Sequence, residues 1–330
     1  MSKLQEITLS QFALNSGVVI PNIAISYQVY GLALGMAPII LVNHALTGNS
    51  TITGENGWWN GLIGTNKPID TNSYTVISIN IPGNGFDGNS ANLIYNYKDY
   101  CTKDIASIFW SVLFEIGAKE LFAVIGGSLG GAIAWEMLAL YPQKIDNLIP
   151  IATNWKATNW VISNVLIQDT ILSNSSNPVF DARLHAMLLY RTPASLESKF
   201  KQIKNKNNFF EVENWLLNHG EKLKNRFQLA SYKLMNHLLK TTKIANNIEE
   251  LKEKLALSTT NIHIVGINTD LFFLPTENID TATELQKVKS NVFYHEIKSI
   301  HGHDAFLIEL EQLNTILYPL LINKNTKNYV

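Results

Sequence analysis

The feature that most constrains this chain is a series of short, almost continuously apolar runs separated by longer segments of helical periodicity. Pro38–Ala45 (PIILVNHA), Tyr74–Asn80 (YTVISIN) and Leu121–Ile125 (LFAVI) are β-branched and aromatic, with little polar sequence to mark a wet face. Strands covered on both faces need that pattern, and parallel sheets layered by helices supply the covering. Asn147–Ala152, Ile262–Asn268 and Val292–Ile297 extend the series. Between the runs, apolar residues recur at Ile105, Ile108, Phe109, Val112, Leu113 and Ile116, one face of a helix that Gly117 is positioned to end. A second helix is expected in LGGAIAWEMLALYP after Ser128, stopping before Pro142. Strands alternating with helices predict an α/β fold with a mostly parallel central sheet and right-handed crossovers.

The alternation lapses between residues 154 and 256. Trp160–Leu172, Ala182–Tyr190 and Phe209–Leu223 are amphipathic at helical spacing, and strand-like sequence resumes only at Ile262. The expected organisation is a core of residues 1–153 and 257–330 with a helical lid insertion at 154–256. Such an insertion belongs over the carboxyl ends of the strands, where open α/β sheets bind ligands. With 46% hydrophobic and 16% charged residues, the chain has material for a sizeable core. A net charge of −1 without long like-charge runs argues against nucleic-acid and anionic-membrane partners. The basic stretch from Lys199 to Asn208 reads as a solvated loop. The single cysteine, Cys101, excludes an intrachain disulfide and suits a reducing compartment. MSKLQEITLSQ lacks the apolar core of a signal peptide, and Pro38 and His44 break the apolar stretch from Gly31 to Leu46. A cytoplasmic protein is therefore expected.

The strongest chemical signal is Gly126-Gly127-Ser128-Leu129-Gly130, directly after a strand and directly before a helix. In that context G-x-S-x-G describes a nucleophile elbow, the sharp turn that exposes the serine of the α/β-hydrolase fold. The crowded turn requires small neighbours, and Gly126, Gly127, Gly130 and Gly131 all flank Ser128. The plainer alternative is a glycine-rich strand-to-helix turn with no chemistry, or one that binds phosphate. A serine nucleophile needs a base, and the base needs an orienting acid. Chain order in this fold is serine, acid, histidine. The acid expected just past a late strand is Asp270, and the base expected before the last helix lies in His301-Gly302-His303-Asp304. His303 is preferred to His301 because it abuts that helix. His44, His185, His219, His237, His263 and His295 fall in strand-like or helical sequence and read as packing or surface residues. No second ligand cluster accompanies the H-x-H-D segment, so no metal is expected. Two backbone donors should form an oxyanion hole: Leu129, after the nucleophile, and Leu46, in the loop His44-Ala45-Leu46-Thr47-Gly48.

Over most of its length the chain resembles the homoserine O-acetyltransferase family. The similarity is carried by NHALTGNS (43–50), GWWNGLIGTNKPIDTNSY (57–74), VIGGSLGG (124–131), LLYRTPASLESKF (188–200), FEVENWLLNHGEKLKNRFQLASY (210–232), TDLFFLP (269–275) and GHDAFLIE (302–309). The resemblance implies the α/β-hydrolase fold and the same triad: Ser128 acylated, Asp270 orienting, His303 as base. It further implies that Arg183, Tyr190 and Asp304 bind the acceptor amino acid. An arginine fork suits an α-carboxylate and an aspartate an α-ammonium. On the residues alone, Arg183 is equally a solvated helix residue, Tyr190 a packing residue and Asp304 a helix-terminal acid. Acetyl-CoA or another acyl-CoA would be a co-substrate, with no permanently bound cofactor. The implied activity is ping-pong acyl transfer to homoserine in methionine biosynthesis, by a homodimer paired through the lid. The alternatives are a carboxylic-ester hydrolase using the same triad and a non-catalytic binding protein. Two segments depart from the family pattern, Asn80–Ser90 and the shortened stretch Ile171–Asp181.

Overall fold

The structure is a computed structural model that describes residues 2–321. The chain opens with an antiparallel pair, β1 (Gln5–Ala13) and β2 (Val19–Gly31), followed by β3 (Ile39–Asn43) and β4 (Thr75–Ile79). Helices then alternate with strands: α1 (Thr102–Glu115), β5 (Leu121–Gly127), α2 (Leu129–Leu140) and β6 (Ile145–Ile151). Six helices follow: α3 (Asn159–Asn174), α4 (Pro178–Tyr190), α5 (Pro193–Phe200), α6 (Glu211–Lys224), α7 (Leu229–Thr241) and α8 (Ile248–Leu255). The sheet resumes with β7 (Asn261–Ile267), α9 (Pro275–Gln286) and β8 (Val292–Ile297), and α10 (Ala305–Ile308) and α11 (Leu310–Leu321) complete the described chain.

The eight strands form one sheet in the order β1-β2-β4-β3-β5-β6-β7-β8. All neighbours from β4 through β8 are parallel, and β2 runs antiparallel to both β1 and β4. Strand burial explains the apolar runs. Ile39 and Leu41 face one core with Val124, α1 and α2, whereas Ile40 and Val42 face a second with Trp59, Ile125 and α11. Side chains alternate across a strand, so two dry faces demand apolar residues at every position. The hairpin shows the converse. β1 is an edge strand with mostly exposed or half-exposed residues, and its polar Gln5, Glu6, Thr8 and Ser10 break any apolar run. It was invisible to a search for continuous apolarity, which located the other strands save β2.

The chain leaves β3 to one side through β4 and returns on the other as β5, so the strand order reverses at the β3–β5 pair. That reversal opens a crevice beyond the carboxyl ends of β3 and β5. The helices between β6 and β7 begin with strong local signals. Thr158, Thr192 and Asn247 accept the backbone N–H groups of Val161, Ser195 and Glu250, and Pro178 and Pro193 occupy first turns. Leu234, Met235 and Leu238 of α7 are buried in the same core as α1 and α2. The Asn80–Ser90 loop lies beneath that helix: a Cβ on Gly83 would approach Leu234 to 3.1 Å and one on Gly85 would approach Ser231 to 3.2 Å. Among the described residues no helix is long and apolar enough to cross a membrane.

Candidate active site

Ser128 sits at the carboxyl end of β5 with φ 54° and ψ −124°. Positive φ costs a non-glycine residue about 1–3 kcal/mol, so the surroundings must impose it. They do so by crowding. A Cβ on Gly126 would lie 2.3 Å from the Gly130 carbonyl carbon, and one on Gly130 would lie 2.4 Å from the Asn43 oxygen. Ser128 N–H donates to the Ile151 carbonyl at 2.9 Å, and its own carbonyl accepts from Gly131 and Ala132, both at 3.0 Å. The turn is thus fixed from β6 and from α2 at once.

The other two triad candidates come from later strands. Asp270 follows β7, and its Oδ1 accepts the N–H groups of Phe272 at 2.7 Å and Phe273 at 2.9 Å. Its Oδ2 lies 2.7 Å from His303 Nδ1, and His303 Nε2 lies 2.9 Å from Ser128 Oγ. A carboxylate only accepts, so Nδ1 carries the proton and Nε2 presents its lone pair to the serine hydroxyl. All three side chains are buried. The rings of Tyr190, Phe272, Phe273 and Phe306 surround the imidazole at 5.4–5.6 Å. The arrangement equips Nε2 to remove the hydroxyl proton while Asp270 stabilises the imidazolium that forms.

Leu129 is the first residue of α2, where an N–H has no partner within the helix. Leu46 occupies the second position of a turn closed by Gly48 N–H to the Ala45 carbonyl at 2.9 Å. Sequence reasoning set His44 aside as packing, and the structure gives it a further task. Its Nε2 accepts the Ile81 N–H at 3.0 Å, so Nδ1 is the protonated nitrogen and donates to the Ala45 carbonyl at 2.8 Å. Burial pushes its pKa down to about 4, opposed by the bond to Ala45. A neutral imidazole therefore ties the Leu46 turn to the Asn80–Ser90 loop. The histidine preceding a short turn after β3 was the available signal.

The acceptor candidates gather beside the imidazole. On α4, the Arg183 guanidinium carbon stands 5.7 Å from the centre of the Tyr190 ring, which in turn lies 5.4 Å from His303. Burial raises the Tyr190 hydroxyl to about 12, opposed by Arg183, so it stays a neutral donor. Burial also raises Asp304, opposed by the charges of Arg183 and His303. A cavity of about 10 Å³ lies between Leu46, Tyr190, Phe272, Gln168, Tyr232 and Asn236, room for about one water molecule. A groove of about 630 Å³ elsewhere, between Trp155 and α9, is lined by none of the candidate catalytic residues. Shared walls with the imidazole tie the small cavity, and not the large one, to the chemistry.

His301, the rejected base, points elsewhere. Its Nδ1 receives Arg191 Nη2 at 3.1 Å and the Ser195 hydroxyl at 2.9 Å, while Arg191 Nε donates to Ser195 Oγ at 3.0 Å. Thr192 Oγ1 also donates to the Ile300 carbonyl. The α4–α5 corner is thereby clamped to the loop that carries His303. A Cβ on Gly302 would approach the Tyr190 carbonyl to 2.9 Å, so that glycine permits the close contact. Arg191, Ser195 and His44 lie in segments that carry the family resemblance, but no spacing in the sequence marks the contacts they make. Among the described residues no group of three or more His, Cys, Asp or Glu is arranged to hold a metal.

Sheet order, strand-to-helix elbow and catalytic geometry define an α/β-hydrolase-fold protein, and the family model for that fold matches residues 38–177. The chain is 32% identical to homoserine O-acetyltransferase of Methanococcus vannielii, over 97% of this chain and 72% of that protein. It is 30% identical to the enzyme of the same name from Cyclobacterium marinum, over 97% and 96% of the two chains. The chain belongs to the homoserine O-acetyltransferase family. In fold it is similar to homoserine O-acetyltransferase from Bacillus anthracis, with TM-score 0.87, 21% identity and 98% of each chain covered. It is also similar in fold to an acetylester hydrolase from Corynebacterium glutamicum, with TM-score 0.81, 18% identity and 97% and 96% covered.

Proposed function

We propose that the chain transfers an acyl group, acetyl in the first instance, from acyl-CoA to the side-chain hydroxyl of homoserine. Ser128 Oγ attacks the thioester carbonyl as its proton passes to His303 Nε2. The N–H groups of Leu46 and Leu129 receive the oxyanion, each worth about 3–4 kcal/mol in the barrier. CoA leaves as the thiol, taking the proton from His303, and an acyl-Ser128 ester remains. Homoserine then binds with its carboxylate on Arg183 and its ammonium near Asp304, with Tyr190 between Arg183 and the imidazole. His303 removes the homoserine hydroxyl proton, the oxygen attacks the ester, and O-acylhomoserine departs as Ser128 regains its proton.

The observation that carries this reading is the unbroken line from Ser128 Oγ through His303 to Asp270, with the Tyr190 ring beside the imidazole of that line and Arg183 over the Tyr190 ring. Family membership supports the acceptor and donor. Residues 154–256 act as the lid that keeps water from the acyl-enzyme, which separates transfer from hydrolysis. The exposed apolar residues of α3, among them Leu166 and Ile167, suit pairing of two lids in a homodimer. A cytoplasmic setting fits the biosynthetic role of this family and the lone Cys101.

The test is acyl-CoA consumption with homoserine, serine and water as competing acceptors, read by product mass. O-acetylhomoserine is the expected main product. Free acetate at an unchanged rate with or without homoserine would replace this reading with ester hydrolysis.

A further inference from the structure

Beside the acceptor residues, the insertion gathers positive charge that the reaction at Ser128 does not use. Lys199 on α5 and Arg191 at the α4–α5 corner both stand over the ring of Trp215 on α6, at 5.2 Å and 5.6 Å. His219, one turn further along α6, packs edge-on against the same ring at 4.4 Å. Lys222 follows on that helix face, and Arg226 just beyond α6 donates to the Thr47 carbonyl of the Leu46 turn at 2.9 Å. Arg226 is exposed, and its guanidinium is close enough to Arg183 for the two to repel. His219 senses four of these cations: burial and then Arg183, Lys222, Lys199 and Arg191 push it down to about 4.

Among the described residues, none of these five cations has a carboxylate within ion-pair distance. The chain as a whole carries a net charge of −1, so overall basicity does not account for the cluster. Like charges gathered around one aromatic platform repel one another, and an anion bound among them relieves that repulsion. Arg191 is taken up by Ser195 and His301, and Arg183 faces Tyr190, which leaves Lys199, Lys222 and Arg226 as the outer, more accessible cations.

We infer that Lys199 and Lys222, grouped around Trp215 and His219, form together with Arg226, the neighbour of Arg183, a phosphate-binding site that receives the nucleotide phosphates of the acyl-CoA donor. The site rests on the acyl-CoA reading above and deepens it. It puts the phosphates beyond the outer end of a chain of contacts that runs from Ser128 through His303 and Tyr190 to Arg183, whose charge acts on both His219 and Arg226. Arg226, bonded to Thr47, links the phosphate site directly to the turn that carries the oxyanion donor Leu46.

The experiment compares acetyl-CoA with S-acetylpantetheine, which has the same thioester and no phosphates, in wild type and in the Lys199→Gln/Lys222→Gln variant. The readout is the ratio of kcat/KM for the two donors. We expect that ratio to fall at least tenfold in the variant, through KM for acetyl-CoA. We also expect KM for acetyl-CoA, and not for S-acetylpantetheine, to rise with salt in wild type. Adenosine 3′,5′-bisphosphate should compete with acetyl-CoA in wild type far better than inorganic phosphate does. Equal competition would mean a site for free phosphate and overturn the assignment to the donor. An unchanged donor ratio in a wild type that uses acetyl-CoA overturns the phosphate site and leaves acyl transfer standing. A wild type that consumes neither thioester overturns the acyl-CoA reading itself, and the site with it.

Discussion

The elbow at Ser128 and the helical face that carries Arg183 flank the same imidazole, yet they are built to different tolerances. At the elbow, position is imposed by backbone. Gly126, Gly127, Gly130 and Gly131 each lack a Cβ that would otherwise come within 2.6 Å of a neighbouring atom. The triad bonds fall between 2.7 and 2.9 Å. On the insertion, position is set by side chains leaning on rings, at 5.7 Å for Arg183 on Tyr190 and 5.2 Å for Lys199 on Trp215. Rigid backbone suits a reaction whose transition state tolerates little misplacement. Looser aromatic and cationic contacts suit recognition of substrates that must enter and leave. On the proposed reading, the sheet holds the chemistry and the insertion holds the choice of partner.

The sharpest way to break that comparison is to remove the proposed nucleophile. Ser128→Ala should lower kcat by about 10⁴- to 10⁶-fold while homoserine and acetyl-CoA still bind, measured by calorimetry. Weakened binding of both ligands would mean that the elbow also shapes the recognition surface, contrary to the division drawn here.

Legibility in the sequence followed the same division. Strands buried on both faces announced themselves, and β8 was placed to the residue because Val292–Ile297 is bounded by polar sequence on both sides. The β1–β2 hairpin escaped because half of it faces water and its polar residues interrupt the apolar signal. Ser128, Asp270 and His303 were nameable because strand ends and chain order restrict where a triad can be built. The Arg191–Ser195–His301 clamp was not, since His301 lies 106 residues beyond Ser195 and only the docking of the α4–α5 corner brings them together. Nor was the cation cluster: Lys199 reads in sequence as the start of a solvated loop, whereas it lies in the last turn of α5, and only the packing of α5 on α6 sets it over Trp215.

A gentler test strikes the recognition side alone. Arg183→Ala removes the fork proposed for the acceptor carboxylate, and a charge-assisted pair of that kind contributes about 1.5–3 kcal/mol. We expect kcat/KM for homoserine to fall about 10- to 100-fold. Acylation of Ser128 by acetyl-CoA, followed by protein mass in the absence of acceptor, should change much less. A matching loss in acylation would place Arg183 in the chemistry and blur the boundary between the two regions.

His44 sits on the sheet side of that boundary and gives the smallest effect, one that pH reveals. Its pKa is about 4 when folded, below the ordinary 6.5. Above pH 6.5 both folded and unfolded chains hold it neutral, so its contribution to stability is complete. As pH falls from 6.5 towards 4, the unfolded chain takes up a proton that the folded chain refuses, and stability declines. The shift corresponds to about 3 kcal/mol at most. His44→Phe leaves the Ile81 N–H and the Ala45 carbonyl without this partner, which should cost about 1–3 kcal/mol at pH 7.5. The variant lacks the titrating group, so urea unfolding at pH 7.5, 6 and 5 should show the gap between wild type and variant narrowing as pH drops. A gap that stays constant would mean that the ring acts by packing alone, and that the Leu46 turn is held by its own Gly48–Ala45 bond without the imidazole.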